Sequence, residues 1–459
     1  MTDDRRVLTS SRLSGFDARF HWTRKAFPSD QFLLFCFAAP REWPEPQAEW
    51  LISRARGIED LNLVVREVPG GLDYPLLIPR MASERNIAIH RLPGRRWVDC
   101  LDAVAELIGD QLRADEAAWR IHLIGPVDDT PAGPGPAVVV VLQIAHVLGD
   151  GRRTSLIARD LLSHSALPDL ELDSSFGVAA RSAAAGAARF PMQFAQTLRW
   201  GMASYSESRR GVDPGVIGAF GSPGVPITVL NRPSGPRRLL RTVLLNRGAL
   251  TTTGTTVTAS VMSAIAQALA EYLDLGPGHP LAAELTIGTT PQAGIRNNFR
   301  NRGIPLATDV SSLSIRAQMI GTSIAQARAE ARDRRSDTAW RAEQATPPAL
   351  VRIGARSFDV NRIPERMTGV TVVSSVHRGA ATLSVDPDGD GSGYLGGGQV
   401  LFTAGFPALS PMQGLTHGIH GIGDTVTVSV NTSPDVMPDV DRYVEMLRES
   451  FARMQSEGR

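Results

Sequence analysis

The stretch VVVVLQIAHVLGDG, residues 138–151, decides the fold prediction and raises the question of function. A run of β-branched and aliphatic residues, typical of a buried strand, leads into one histidine, His146, and then into Asp150 and Gly151. A strand holds a histidine rigidly and shields it from water, which disfavours the protonated imidazole. An imidazole in this position suits a general base for an alcohol or an amine, with one nitrogen free and the other fixed.

Asp150 and Gly151 have supporting roles in this hypothesis. Asp150 is expected to orient the loop, through an arginine or a backbone contact, without touching substrate. Gly151 has no side chain, so a bulky substrate can approach His146 closely. The competing interpretation is that a histidine at the end of a strand is structural, which is the commoner case for the bare pattern His-x-x-x-Asp-Gly.

Composition excludes several classes of protein. The chain has 459 residues, of which 48 are basic and 47 acidic, and this balance argues against a dedicated nucleic-acid binder. Two cysteines, Cys36 and Cys100, cannot make a disulfide framework and suit a reducing cytosol. The first residues lack the apolar core of a signal peptide, and no segment approaches the roughly 20 apolar residues that cross a bilayer. We expect a cytoplasmic protein, and contact with a membrane or lipid-droplet surface stays open.

Strand and helix patterns alternate in two halves of comparable size. In the first half, strands are predicted at 31–38, at 118–126 and up to His146, and helices at 48–61, 98–113 and 153–165. In the second half, strands are predicted at 237–246, 283–290, 369–376, 398–406 and 424–433, and helices at 256–274, 320–335 and 440–454. The pattern predicts an α/β fold with an N-terminal domain at 1–165, a crossover linker with a surface helix at 166–236, and a C-terminal domain at 237–459.

Several segments resemble the bacterial wax ester synthase/diacylglycerol acyltransferase (WS/DGAT) family. QLRADEAAWRIHLIGP (111–126) is similar to the PLW-E-HLI segment that precedes the family's His-His-x-x-x-Asp-Gly signature. RLSGFDARFHW (12–22) is similar to its LS-x-x-D-x-x-F opening, with Asp17 and Phe20 in register. VTVVSSVHRG (370–379) and the ending of the chain resemble its last strands and final helix. The resemblance is discontinuous but spans nearly the whole chain.

The resemblance implies the fold of coenzyme-A-dependent acyltransferases, shared with chloramphenicol acetyltransferase and condensation domains. Two domains, each a mixed β-sheet flanked by helices, enclose a tunnel. His146 then matches the catalytic histidine, which deprotonates the acceptor as its oxygen attacks an acyl thioester and afterwards protonates the leaving thiolate. Asp150 and Gly151 match the rest of the signature, and Trp119 matches a tryptophan with a packing role.

The resemblance also implies the partners. Acyl-CoA enters the tunnel as co-substrate from one face, and a hydroxyl or amine acceptor enters from the other. Neither a metal nor a resident cofactor is expected. The developing oxyanion needs a donor, and Ser374, Ser375 or a backbone N–H are the candidates.

The sequence departs from the family's pattern in three places. Ala145 replaces the first histidine of the pair, Thr258 and Ala259 replace an Asn-Asp pair, and SSVHRG (374–379) replaces an Asn-x-Pro-Gly segment.

The leading hypothesis is an acyl-CoA-dependent O-acyltransferase that makes wax esters or triacylglycerol. One alternative is an acyltransferase or condensation-like enzyme acting on a specialised metabolite, from CoA or a carrier-protein thioester. The other is a non-catalytic acyl-CoA-binding homologue.

Two further segments contain metal-ligand residue types. DPDGDGSG (386–393) begins like a calcium loop, but Gly397 stands where the bidentate glutamate belongs, so a solvated hairpin is expected. LTHGIHGIGD (415–424) contains His417 and His420, and its glycines predict a tight loop. We expect this loop to line the tunnel opposite the catalytic histidine rather than to bind a metal.

The basic segment NNFRNRG, residues 297–303, has two interpretations. It is either a solvated surface loop, which is the favoured interpretation, or a contact for the phosphates of coenzyme A through Arg300 or Arg302.

Overall fold

The structure, a computed structural model, describes residues 6–173, 177–211, 224–251, 254–276, 278–331, 338–356, 364–377 and 394–457. The strands in these ranges are β1 Arg6–Leu8, β2 Ser11–Arg12, β3 Gln31–Ala38, β4 Leu63–Arg66, β5 Leu76–Pro79, β6 Ile87–His90, β7 Trp119–Thr130, β8 Gly133–Ile144, β9 Leu170–Leu172, β10 Val225–Pro226, β11 Leu239–Asn246, β12 Ala282–Gly288, β13 Phe299–Pro305, β14 Arg366–Met367, β15 Thr371–His377, β16 Tyr394–Leu395, β17 Gly398–Gly405, β18 Leu415–Ile422 and β19 Thr425–Thr432. The helices are α1 Gly15–Thr23, α2 Glu45–Arg56, α3 Trp97–Gly109, α4 Gly151–Leu162, α5 Val178–Gly211, α6 Arg247–Leu250, α7 Val257–Tyr272, α8 Leu313–Ala331, α9 Thr338–Ala345, α10 Pro348–Arg356 and α11 Val440–Glu457.

The first large sheet has the strand order β16-β17-β3-β8-β7-β6. β8 lies at its centre and pairs antiparallel with β3 and β7, whereas β6 and β7 are parallel. Residues 137–144 of β8 are all buried. A sheet covered on both faces needs a continuous apolar run, which explains why this strand does not alternate polar and apolar residues.

The second large sheet has the strand order β11-β19-β18-β15-β12-β13. β12, β15 and β18 are parallel neighbours, and the other pairs are antiparallel. Its core includes α7 and α11. α7 is rich in alanine and serine and is buried along 258–266, because it lies inside the domain rather than over its surface. These two mixed sheets with their helices confirm the predicted α/β class.

The two sheets do not divide the chain at one position. β17 pairs with β3, so a segment of the second half completes the first sheet. The described part of the 166–236 segment contains β9, the long helix α5 and β10. The division into 1–165, 166–236 and 237–459 stays a prediction.

Two segments predicted as loops are strands. Residues 415–422 form the fully buried strand β18, and residues 299–305 form β13 at the edge of the second sheet. Helix α8 begins at Leu313, seven residues before the predicted 320. The calcium-like segment 386–393 lies outside the described residues. In the described ranges, we find no helix that is long and apolar enough to span a membrane.

Candidate active site

His146 follows β8 directly but does not belong to it. The strand ends at Ile144, and His146 begins a 3₁₀ turn, His146–Leu148, that leads into α4. Ala145 is buried in the core of the first half, where it packs with Trp119 among others. The Trp119 indole donates a hydrogen bond to the Leu61 carbonyl (2.7 Å), which is a packing role.

The imidazole of His146 lies between aromatic rings from both halves of the chain. The Phe20 ring of α1 stacks on it at 4.1 Å between centroids and 3° between planes, and Phe299 of β13 lies at 5.6 Å. His146 is half-buried. These contacts therefore place the His146 side chain where the two halves of the chain meet, which is the location that the resemblance implies.

The two ring nitrogens of His146 have different surroundings. Nδ1 is buried beside the backbone of His146 itself. Nε2 makes no hydrogen bond within the described part of the chain and is not sealed from solvent. Burial lowers the pKa of His146 below its ordinary 6.5, against the opposing effects of the Asn297 amide and the Asp150 and Asp17 carboxylates. The ring is therefore neutral near pH 7, with Nε2 available as a base.

Asp150 is the N-cap of α4 and does not bond to the imidazole. Its Oδ1 accepts hydrogen bonds from the backbone N–H groups of Arg152 and Arg153 (3.1 and 3.0 Å). Its Oδ2 accepts from the backbone N–H of Asn298 (2.7 Å), a residue of the second half. The carboxylate therefore fixes the turn after His146 and ties it to the opposite half through backbone contacts.

A second buried carboxylate, Asp17, makes a parallel connection. It is fully buried on α1, and its oxygens accept from the N–H groups of Arg296 and Asn297, from the Asn297 amide and from the Ser14 hydroxyl. The same Asn297 amide donates to the His146 carbonyl at 2.9 Å. One asparagine thus links the opening segment, the histidine turn and the second half.

An arginine pair on Asp60 completes this network. Arg153 donates to both oxygens of Asp60, at 2.9 and 2.8 Å, and Arg296 reaches Oδ1 at 2.6 Å. Arg296 also donates to the Leu148 carbonyl. The two arginines hold the pKa of Asp60 below its usual value despite burial, which by itself would raise it.

Sequence reasoning singled out residues 297–303 for other roles and missed the part that Arg296, Asn297 and Asn298 take in this network. Two features of the sequence indicated such a role. The acidic residue of the opening motif needs hydrogen-bond partners if it is buried, and three consecutive polar residues stand just before a strand. Arg300 and Arg302 lie within β13, and Arg302 is only 8% exposed, so neither is on a solvated loop. Neither residue is among the described residues that line the two cavities beside His146.

Two cavities meet beside His146. Cavity A, of about 380 Å³, is lined by His146 together with Phe20, Asp30, Glu284 and Phe406 among others. Cavity B, of about 830 Å³, lies on the α4 side. The residues that line both cavities are Gly151, Ser155, Thr286, Phe299, Ser374 and Val376. Passages therefore reach the shared wall from two sides.

Gly151 and Ser374 form part of this shared wall. A Cβ atom on Gly151 would meet Val376 Cγ2 at 3.5 Å, an ordinary van der Waals contact, so a small side chain would fit here without a clash. Ser374 Oγ makes no hydrogen bond in the described structure, whereas Ser375 Oγ bonds to Thr258 Oγ1 at 2.7 Å. Of the two serine hydroxyls, that of Ser374 is the one without a partner in the described structure, and the choice of oxyanion donor among Ser374, Ser375 and a backbone N–H stays a prediction.

The residues at the family's Asn-Asp pair position make their described side-chain contacts within the second half of the chain. Thr258 is the second residue of α7 and bonds only to the neighbouring strand β15, through Ser375. Ala259 is fully buried and packs near Gly321 of α8. In this chain the two positions therefore stabilise the second half.

The two histidines of β18 differ in role. His417 is fully buried and bonds to the Thr371 and Tyr443 hydroxyls (2.9 and 2.7 Å), and burial lowers its pKa to about 3. His417 is thus a structural residue. His420 lines cavity A, as expected for a segment lining the tunnel. No group of three or more metal-ligand side chains occurs among the described residues.

Comparisons with known proteins bear on the family and on the fold. Residues 390–455 match the family model of the WS/DGAT C-terminal domain. The predicted resemblance to the WS/DGAT family is confirmed. The fold is similar to the wax ester synthase/diacylglycerol acyltransferase of Marinobacter aquaeolei VT8, at 16% identity and a TM-score of 0.63 over 98% of this chain and 99% of that chain.

Two further structures share the fold without close sequence similarity. Trichothecene 15-O-acetyltransferase from Fusarium sporotrichioides matches at 12% identity and a TM-score of 0.58, over 97% and 95% of the two chains. The starter condensation domain of rhizomide synthetase, in complex with C8-CoA and Leu-SNAC, matches at 13% and 0.52, over 98% and 94%. The chain thus matches the WS/DGAT C-terminal domain model over residues 390–455 and shares its fold with these three structures.

Proposed function

We propose that this chain is an acyl-CoA-dependent O-acyltransferase of the WS/DGAT type, with a long-chain alcohol or diacylglycerol as acceptor. The observation that carries the proposal is His146, whose ring is neutral, has an open Nε2 and lines cavity A next to Phe299 and Gly151 of the wall shared with cavity B. Nε2 removes the acceptor's hydroxyl proton as the oxygen forms a bond to the thioester carbonyl carbon. The tetrahedral intermediate then breaks the carbon–sulfur bond, and the thiolate takes the proton from Nε2.

Charge supports entry of the donor through cavity B. Four arginines line this cavity, with Asp150 as the one carboxylate among its described lining residues: Arg152, Arg153, Arg159 and Arg296. Arg152 is exposed and has no carboxylate partner in the described structure. Arg153 and Arg296 pair with Asp60 and Arg159 pairs with Asp160, so Arg152 is the arginine whose charge is left for the phosphates of coenzyme A. Supplying matched acyl-CoA and carrier-bound donors distinguishes the two donor types, because only the true donor is consumed.

The test of the proposal is product formation by the purified chain. Acyl-CoA and a long-chain alcohol should give ester and free coenzyme A together, and omission of the alcohol should stop thioester consumption. Tight acyl-CoA binding without turnover across diverse acceptors would instead support the non-catalytic alternative.

We expect kcat/KM to keep its full value at neutral pH and to fall only when the pH is lowered into the acidic range. Only the neutral imidazole accepts a proton, and burial lowers its pKa, so kcat/KM should rise with pH and reach its plateau through a pKa below 6.5. Asp30 lines the same cavity and has a pKa raised to about 6 by burial, so the profile is repeated in Asp30→Asn. A limb that is unchanged in this variant belongs to His146. A limb centred above 6.5 in both proteins would contradict the assignment.

We also propose that α5 contacts a lipid surface. Phe190, Phe194, Leu198 and Met202 repeat every fourth residue and are 43–66% exposed, so they form one apolar stripe along the helix. Among the described side chains of α5, the charged ones are arginines: 181, 189 and 199. An apolar stripe with basic flanks suits the interface of an anionic membrane.

Vesicle sedimentation tests this contact. Phe194→Ser with Met202→Ser should lower the partition coefficient on phosphatidylglycerol-containing vesicles by roughly tenfold or more, because two apolar side chains are lost from the interface. Ile315→Ser with Met319→Ser removes equally exposed apolar groups from α8 and should leave partitioning unchanged. Equal loss in both double variants, or no binding by the parent, would refute the proposal.

A further inference from the structure

Cavity A contains a buried carboxylate that the proposed chemistry does not use. Asp30 immediately precedes β3 and is only 7% exposed. Its Oδ2 accepts hydrogen bonds from the Leu112 N–H (2.6 Å) and from the Gln143 amide (2.8 Å). Within the described structure its Oδ1 accepts none and is not sealed from solvent, so it is available to a ligand in cavity A.

A chain of hydrogen bonds holds this carboxylate in place. Gln143 Oε1 bonds to His122 Nε2 at 2.9 Å, and His122 Nδ1 bonds to His90 Nε2 at 2.9 Å, across three neighbouring strands. Burial lowers the pKa of His122 to about 4, so this ring is neutral and donates from Nε2 to the amide oxygen. The amide N–H groups must then point at Asp30 Oδ2. The network fixes one oxygen of the carboxylate and leaves the other for a donor from outside.

The rest of cavity A extends this polar character. Glu284 lines it too, and its carboxylate accepts from the Asn301 amide at 2.6 Å. The described residues that line cavity A include no lysine or arginine. Phe20, Phe27, Phe32 and Phe406 supply apolar walls. A purely hydrocarbon acceptor would leave the buried Asp30 oxygen without a partner, which is costly.

We infer that cavity A is the acceptor site and that Asp30 recognises a second hydrogen-bond donor, a hydroxyl or a protonated amine, on an otherwise apolar acceptor alcohol. This inference rests on the proposed function and narrows its acceptor to a polar, bifunctional class. The attacking hydroxyl meets His146 while the second group donates to Asp30 Oδ1. The anionic donor is kept to cavity B, because the described lining of cavity A offers carboxyl groups and no lysine or arginine to its phosphates.

Acceptor selectivity tests the inference. The wild-type chain is given palmitoyl-CoA with dodecanol, with the matching terminal diol or with the matching terminal amino alcohol. We expect kcat/KM to be higher for the diol or the amino alcohol than for dodecanol. Asp30→Asn should reduce that preference roughly 10- to 100-fold, the range for a lost hydrogen bond to a charged group.

The design separates recognition from structure. The asparagine oxygen still accepts from Leu112 and Gln143, so the internal network survives the substitution. Asp110→Asn is the matched control: its side chain is largely exposed, although its backbone carbonyl binds the same Gln143. Equal use of all three acceptors by the wild type, or an equal loss with all three in Asp30→Asn, would overturn the inference.

If the chain is not an acyltransferase, the same experiment gives a different result. In that case no acceptor supports thioester consumption, and calorimetry of the diol and of dodecanol with the wild type and Asp30→Asn then decides the inference by binding alone. A preference for the diol that disappears in Asp30→Asn supports it, and the absence of that preference refutes it.

Discussion

Replacing His146 by alanine is expected to reduce acyl-CoA consumption to the background rate. A positioned general base contributes roughly 10²- to 10⁴-fold, and no other imidazole takes its place between Phe20 and Phe299. The fold should survive, because the ring occupies the edge of a cavity and its backbone contact with Asn297 remains. The measurement is thioester consumption by the purified variant, with its melting temperature alongside.

Two controls make this result specific. His164→Ala removes an exposed histidine at the end of α4 and should leave turnover unchanged. Binding of acyl-CoA to His146→Ala should persist within a few-fold, because the arginines of cavity B are intact. Full turnover in His146→Ala would refute the proposed chemistry, whereas the fold assignment would stand.

Replacing Asp17 by alanine should destabilise the protein by about 3 kcal/mol or more. The change removes a fully buried acceptor of several hydrogen bonds and leaves the N–H groups of Arg296 and Asn297 without partners. Because the Asn297 amide also holds the His146 carbonyl, turnover should fall as well. Chemical denaturation measures the free energy of unfolding.

An exposed ion pair gives the matched control. Asp128 pairs with Arg95 at 2.6 Å, and both side chains are about half exposed, so Asp128→Ala should change the free energy of unfolding by less than about 1 kcal/mol. If Asp17→Ala does not fold, Asp17→Asn provides the milder test, since it keeps one acceptor oxygen. Equal stability of the Asp17 variants and Asp128→Ala would show that this connection is not structural.

Elements with strong local patterns could be predicted from sequence. Strand β3 was predicted at 31–38 and lies there, and helix 256–274 closely matches α7. Apolar periodicity is sufficient for such segments. The strand prediction ending in His146 was correct to within two residues.

The segment 415–422 was wrongly predicted as a loop. Its glycines are required by contacts between strands rather than by a turn. A Cβ on Gly418 would lie 2.1 Å from the Gly405 carbonyl oxygen, and a Cβ on Gly405 would lie 2.2 Å from the His420 ring. These glycines permit close approach of buried strands, which is not visible in the local sequence. Spacing alone favoured a turn.

The candidate site was likewise only partly predictable. His146, Asp150 and Gly151 lie in one short stretch, so their proximity follows from the sequence. Asn297, by contrast, lies 151 residues after His146 in the sequence and reaches it only because the two halves of the chain pack together. No periodicity predicts such a contact, because it depends on how the domains dock.

The most direct measurement is the product balance of the reaction. Palmitoyl-CoA labelled in its acyl chain is incubated with the purified protein and an acceptor alcohol, and mass spectrometry follows the ester, the coenzyme A and the intact protein. The account predicts equal amounts of labelled ester and free coenzyme A, with no mass added to the protein. A labelled acyl-protein that forms before the ester, or coenzyme A release without ester, would contradict direct transfer at His146.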